Sequence, residues 1–184
     1  MLTLSFNPFP TLTTPRLTLR RLTLNDVNAL FALRSNPDAM RYIARPLAKT
    51  PDDTAKLIPV IDELLERNEA INWAIALKGH DEMIGTFCFW NVQPENRRAE
   101  IGYMLHPSHQ GVGIMQETLT ATMDYGFNIM KLHSVEAHVD PENTASIKLL
   151  ERNGFEREGY FKENVWFNGK YSDTAVYCKR KVAS

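Results

Sequence analysis

The sequence predicts an α+β fold: a mixed, mostly antiparallel sheet of about seven strands, with a βαβ unit near its middle and flanking helices. Three observations carry that prediction. Ile71 to Lys78, Met83 to Trp90 and Arg98 to Leu105 are strand-like runs joined by connections too short for a crossover, which implies an antiparallel meander. Gln110-Gly111-Val112-Gly113 then opens a segment with Ile114, Leu119, Met123, Phe127 and Met130 at helical spacing, and His133 to Val139 returns as a strand. Reached through a helix, that strand is expected to run parallel to the one before it. Asn168-Gly169, the strongest short turn signal in the chain, joins the closing strands Phe155 to Glu163 and Lys170 to Lys179 as a hairpin.

The remaining elements follow in order. Asn7 to Pro15 is a proline-rich lead-in, and Arg16 to Leu22 alternates polar and apolar residues as a half-buried strand does. Thr23 or Asn25 can cap a helix over Asp26 to Arg34, which Asn36-Pro37 stops. Ala39 to Lys49, with Tyr42, Arg45 and Pro46, lacks periodicity and reads as a loop or short helix able to line a substrate cleft. Thr50-Pro51-Asp52-Asp53 starts a second helical region reaching about Asn68, with Pro59 placed to kink or divide it. Asp140 to Asn143 is a turn, and Thr144 to Arg152 is a short helix that Gly154 closes in the left-handed conformation.

At 184 residues, 43% hydrophobic and 23% charged, the chain suits one domain spanning 1–184. Its formal charge is −1 and its basic residues are dispersed, so no nucleic-acid partner is expected. Cys88 and Cys178 lie in apolar strand-like segments, which suits a reducing compartment better than a disulfide framework. The first residues lack a signal-like run, and no apolar stretch approaches the roughly 18 residues that span a bilayer, so a cytoplasmic location without membrane contact is expected. The five histidines have no paired helical spacing and no cysteine close in sequence, so no metal is expected.

The glycine stretch is the most informative feature. Two glycines one residue apart let a backbone approach a ligand, and the first N–H groups of the following helix have no acceptor within it, which makes an anion site. A plain helix start is the alternative. A Walker loop is excluded because Ile114 and Met115, not Lys and Ser or Thr, follow Gly113; a dinucleotide loop is disfavoured by Gln116 where a third glycine belongs.

Three motifs together resemble a known family. Ala99-Glu100-Ile101-Gly102-Tyr103-Met104-Leu105, the Gln110-Gly111-Val112-Gly113 turn, and Asn143-Thr144-Ala145-Ser146 followed by Asn153-Gly154-Phe155 are similar to the Gcn5-related N-acetyltransferases (GNAT). More closely they resemble the RimJ/RimL branch, which acetylates N-terminal amines of ribosomal proteins. The likeness runs from about Arg16 to Lys179. It implies acetyl-CoA as co-substrate, its pyrophosphate held by Gln110, Gly111, Val112, Gly113, Ile114 and Met115, mainly through main-chain N–H groups. The family has Gly or Ala where this chain has Met115, a departure the site tolerates if that side chain turns to the core.

The resemblance also implies that the pantetheine arm lies between Tyr103 to His106 and His133 to Val139, with main-chain groups of Met104 and Leu105 and the side chain of Asn143 as partners. Asn143 also suits a helix cap. Glu100 is the implied general base, acting through water; its other reading is an exposed strand residue or an ion pair with Arg97 or Arg98. Many members carry a tyrosine as general acid seven residues after the motif asparagine, where this chain has Leu150. Ser146, on the same helix face, is the implied proton donor to the leaving thiolate.

The implied reaction is direct attack by a primary amine in a ternary complex, with a protein or peptide N-terminal α-amine, such as that of a ribosomal protein, as acceptor. Rival readings are acetylation of a small-molecule amine and a non-catalytic acyl-CoA-binding protein. Tyr42, Arg45, Trp73, Trp90 and Glu163 are positional candidates for the acceptor groove, and Trp166, Phe167 and Tyr171 beside the hairpin tip offer a surface for a homodimer.

Overall fold

The computed structural model describes residue 2 and residues 4–181. Eight strands form one sheet in the order β1-β2-β3-β4-β5-β6-β8-β7. They are β1 (Leu12–Thr13), β2 (Leu17–Arg21), β3 (Ile71–Leu77), β4 (Met83–Gln93), β5 (Arg98–Leu105), β6 (Ser134–Val139), β7 (Glu156–Phe167) and β8 (Lys170–Arg180). The strand beyond the expected seven is β1, a two-residue edge too short to leave an alternating pattern. Every pairing is antiparallel except β5 with β6, the βαβ unit the sequence predicts.

Six α-helices flank the sheet: α1 (Val27–Arg34), α2 (Pro37–Met40), α3 (Pro51–Ala55), α4 (Leu57–Glu66), α5 (Ile114–Asp124) and α6 (Thr144–Arg152). Asn36 does more than stop α1. Its Oδ1 accepts from the N–H groups of Asp38 and Ala39 and caps α2, with Pro37 preset for the first turn. The long helical region breaks at Lys56, between α3 and α4, and not at Pro59. Pro59 falls in the first turn of α4, where its missing N–H leaves no acceptor unsatisfied. The helical pattern through Met130 is real but changes pitch, since Tyr125–Ile129 form a π turn and Met130 N–H donates to Tyr125 O at 3.0 Å.

Two apolar clusters lie on the sheet's two faces. The larger joins α5 to Leu17, Leu19, Ile75, Phe87, Phe89 and Ile101, with Trp73 in edge contact with Phe89 and Tyr125 at centroid distances of 6.1 and 5.5 Å. The smaller packs Leu30, Leu33 and Ile58 of α1 and α4 against Ala74 and Met83, with Met104 at its margin. Between β7 and β8, Asn168 and Gly169 both have positive φ (49° and 74°), the backbone that a two-residue type I′ turn requires. No helix among the described residues is long and apolar enough to cross a membrane.

Candidate active site

The parallel pairing of β5 with β6 is brief. Arg98, Ala99 and Glu100 lie opposite Ser134, Val135 and Glu136, after which the strands part, while β6 stays paired with β8 through Val139. The C-terminal half of β5 therefore borders a gap in the sheet. Its main-chain polarity follows from one bond: His106 N–H donates to Ile84 O at 2.9 Å. By the alternation of an antiparallel ladder, Met104 and Gly102 face β4, whereas Tyr103 and Leu105 turn their N–H and C=O groups toward the gap. The expectation for the main chain of Met104 is thereby corrected. That residue's main chain is committed to Thr86 across the ladder, and the main-chain groups that face the gap are those of Tyr103 and Leu105.

Glu100 stands on the last paired rung, at the apex of the gap, and is 7% exposed. Neither arginine expected as its partner pairs with it. Arg98 forms a salt bridge with Glu136, and Arg97 donates to the Lys131 carbonyl at 2.8 and 3.0 Å. Burial raises the Glu100 carboxyl above its ordinary value; the His138 charge opposes the shift and the Glu136 carboxylate adds to it. His138 Nε2 lies 3.9 Å from Glu136 Oε2, and ligand atoms of Glu100, Glu136 and His138 fall within 4.8 Å of one another. Glu136 is already neutralised by Arg98, so the cluster suits proton exchange around a single free carboxylate.

At the glycine loop, Gly111 and Gly113 have φ of 78° and 81°, and Gly113 is the N-cap of α5. A side chain at either would strain the turn. Gln110 Nε2 donates to Leu105 O at 3.1 Å, tying the loop to the strand that borders the gap. Arg16 straps the loop from the far side: its Nη1 donates to Val112 O at 2.9 Å and its Nε to Glu117 Oε2 at 2.6 Å. Glu117 Oε1 also accepts from Thr14 Oγ1 at 2.5 Å and Arg16 N–H at 2.9 Å. Val112 is exposed, Ile114 is buried, and Met115 packs against the larger core, the orientation that leaves the loop's main chain clear.

Across the gap, α6 presents its first turn. Asn143 Oδ1 accepts from Ser146 N–H at 3.1 Å, so its oxygen serves as the helix cap. Ser146 Oγ lies 2.5 Å from Tyr103 Oη, with the Tyr103 ring stacked on Phe87 at an interplanar angle of 6°. Burial pushes the Tyr103 phenol up to about 12. Leu150 is fully buried in the core, so the position that carries a tyrosine in many acetyltransferases here supplies packing. At the other end of α6, Gln116 and Asn153 exchange amide hydrogen bonds of 2.8 and 2.9 Å that lock it to α5.

Residues 16–156 match the acetyltransferase (GNAT) domain family. The chain belongs to the GNAT acetyltransferases. It is 37% identical over 175 residues to the uncharacterized N-acetyltransferase p20 of Bacillus licheniformis, covering 94% of this chain and 98% of that one. Among solved structures it is similar to RimL, the ribosomal L7/L12 α-N-protein acetyltransferase in complex with coenzyme A, with a TM-score of 0.84, 27% identity and coverage of 93% and 98%. It is also similar to the spermidine N-acetyltransferase of Vibrio cholerae in complex with CoA and spermine, with a TM-score of 0.80, 26% identity and coverage of 91% and 96%. The chain is an N-acetyltransferase of this family, and the RimJ/RimL-like motifs fit it.

On this acetyltransferase a cleft of about 610 Å³ lies between Arg41–Ala44, the end of β6 and the β7–β8 hairpin, with Tyr42, His138, Asp140, Phe167 and Asp173 in its walls. Of the groove candidates read from sequence, Tyr42 lines it. Trp73 does not: it is wholly buried, with Nε1 donating to Pro10 O at 2.7 Å. Trp90 and Glu163 lie outside its walls, and Arg45 adjoins it in sequence only. Sequence reasoning missed Glu136, His138 and the phenol of Tyr103. Alternation along β6 places Glu136 and His138 on one face, but the pairing that brings them beside Glu100 is visible only in three dimensions.

Proposed function

We propose that this acetyltransferase moves the acetyl group of acetyl-CoA to the N-terminal α-amine of a protein or peptide, by direct attack in a ternary complex. The observation that carries the reading is the gap between β5 and β6 with Glu100 at its apex, bounded by the glycine loop on one side and the 610 Å³ cleft on the other. The donor's pyrophosphate would rest on N–H groups of residues 111–115, and its pantetheine arm would take main-chain partners from Tyr103 and Leu105. An N–H facing the thioester carbonyl would stabilise the oxyanion by about 3 kcal/mol.

The amine nitrogen attacks the thioester carbonyl carbon, forming the N–C bond, and the C–S bond breaks. The amine's proton leaves through water to Glu100, and the thiolate takes its proton from Ser146. An α-amine with an ordinary pKa of about 8 is partly free near neutrality, so a carboxylate with a moderately raised pKa suffices as base.

A second reading, acetylation of a polyamine, is favoured by the carboxylates of Asp140, Glu142 and Asp173 in the cleft. Arg41 and Lys170 share those walls and weaken the attraction for a polycation, which favours a peptide carrying one amine. Incubation of a cell lysate with isotopically labelled acetyl-CoA, followed by mass spectrometry, separates the readings. Label on a protein N-terminus is expected, and label on polyamines alone selects the second reading. The proposal fails if no peptide or amine accepts label and Glu100→Gln and Ser146→Ala leave CoA release unchanged.

A further inference from the structure

The pair formed by Tyr103 and Ser146 ties β5, which borders the gap, to the first turn of α6. Among the described residues, each hydroxyl is the other's only hydrogen-bond partner, at 2.5 Å. The two ends are held independently. Tyr103 stacks on Phe87 with centroids 6.3 Å apart, and the main chain of Ser146 is fixed by the Asn143 cap at 3.1 Å. A phenol is a far stronger acid than an alkyl hydroxyl, so the shared proton belongs to Tyr103. Accepting it occupies a lone pair of Ser146 Oγ and leaves the serine's own proton free for a third atom.

We propose that Tyr103 is a positioning residue for acetyl transfer: by donating to Ser146 Oγ it turns the serine proton toward the leaving sulfur. This rests on the assignment of Ser146 as donor to the thiolate. In the step itself the C–S bond breaks, its electron pair stays on sulfur, and Ser146 Oγ–H passes to that thiolate as Tyr103 Oη–H passes to Ser146 Oγ, so the negative charge ends on the phenolate and not on the serine. Solvent restores the protons after CoA departs. The phenol, pushed up to about 12 by burial, keeps its proton throughout the neutral range and is always available as donor. The arrangement supplies from β5 the hydroxyl that Leu150, buried in the core, cannot supply from α6.

The test is a double-mutant cycle of Tyr103→Phe and Ser146→Ala, read as kcat and as KM for acetyl-CoA, with thermal melting as a folding control. Phenylalanine keeps the ring on Phe87, so the fold should survive. In the otherwise unaltered enzyme Tyr103→Phe should lower kcat about fivefold, the kinetic equivalent of one ordinary hydrogen bond, with KM unchanged. In the Ser146→Ala background it should change nothing. Equal slowing in both backgrounds, or none in the unaltered enzyme, overturns the positioning role. A Ser146→Ala single variant with full kcat overturns the donor assignment beneath it, a result that needs no Tyr103 variant to recognise.

Discussion

Glu100 lies opposite Glu136 on the last rung that β5 and β6 share, and only Glu136 has an arginine, Arg98, to neutralise it. Burial is the main reason that the proton stays on Glu100 to higher pH than on an ordinary glutamate; the Glu136 carboxylate adds to the shift and the His138 charge opposes it. The base form is the deprotonated one, so CoA release should rise with pH through a midpoint above the usual glutamate value. Glu100→Gln should remove that limb and lower kcat by about a hundredfold. A pH profile of kcat for both proteins checks it; an unchanged limb in the variant would assign the base elsewhere.

Releasing Arg98 should act on the same carboxylate in a predictable direction. In Arg98→Met the charge of Glu136 loses its salt bridge and bears more heavily on Glu100, so the alkaline shift of the limb should grow. The pH profile of kcat is again the measurement, and a limb shifted to lower pH contradicts it.

Arg16 and Glu117 hold the glycine loop against the first turn of α5. Glu117→Ala removes acceptors for three hydrogen bonds, from Thr14 Oγ1, Arg16 N–H and Arg16 Nε, and frees the guanidinium that holds Val112. KM for acetyl-CoA should rise about fivefold with kcat little altered, because the loop is ordered less before the cofactor arrives. Initial-rate kinetics at varied acetyl-CoA decide it.

Gly113→Ala places a side chain at φ 81°, with the added carbon 3.4 Å from Arg16 Nη2. The left-handed backbone alone costs about 1–2 kcal/mol. Melting temperature should fall, and CoA affinity measured by calorimetry should fall with it. A variant as stable as the parent and binding CoA as tightly would show that the loop does not need this conformation.

Ahead of α1, Arg20 grips Asp26 through bonds of 2.9 and 2.7 Å, and Asp26 also accepts from Thr23 N–H at 2.8 Å. Burial alone would raise the Asp26 carboxyl, but Arg20 and Thr23 outweigh it and hold it below its ordinary value. A depressed folded-state pKa means that this stabilisation is present above the ordinary carboxylate range and is lost as pH falls through the folded value. Asp26→Ala should cost about 3 kcal/mol at neutral pH, by leaving a partly buried guanidinium unpaired. Urea unfolding at pH 7 and at pH 3 should show the difference between the two proteins shrinking at the lower pH.

Much of the donor side was legible in the sequence because it depends on local backbone. Gly111 and Gly113 form the turn before α5 with positive φ, Asn143 caps the helix it precedes, and Asn168-Gly169 forms its turn. These conformations are set by residues within a few positions of one another. Glu100 and Ser146 were legible as motif members, whereas the direction of the Met104 main chain was not, since it depends on which neighbour β5 pairs with at each rung. Trp73 misled for a related reason: an aromatic residue on a strand gives the same pattern whether its face meets a cleft or a core.

The sequence by itself determined the order of the elements, the turns, the glycine loop and the family whose motifs they carry, because each is a property of a short stretch and its intrinsic geometry. Tertiary structure alone decided three things: that Glu136 and His138 stand beside Glu100, that Arg16 straps a loop 96 residues away, and that Tyr103 meets Ser146. Those contacts are made by strand order and by the parting of β5 from β6, which place residues far apart in the chain at hydrogen-bond distance without leaving any periodic trace along it.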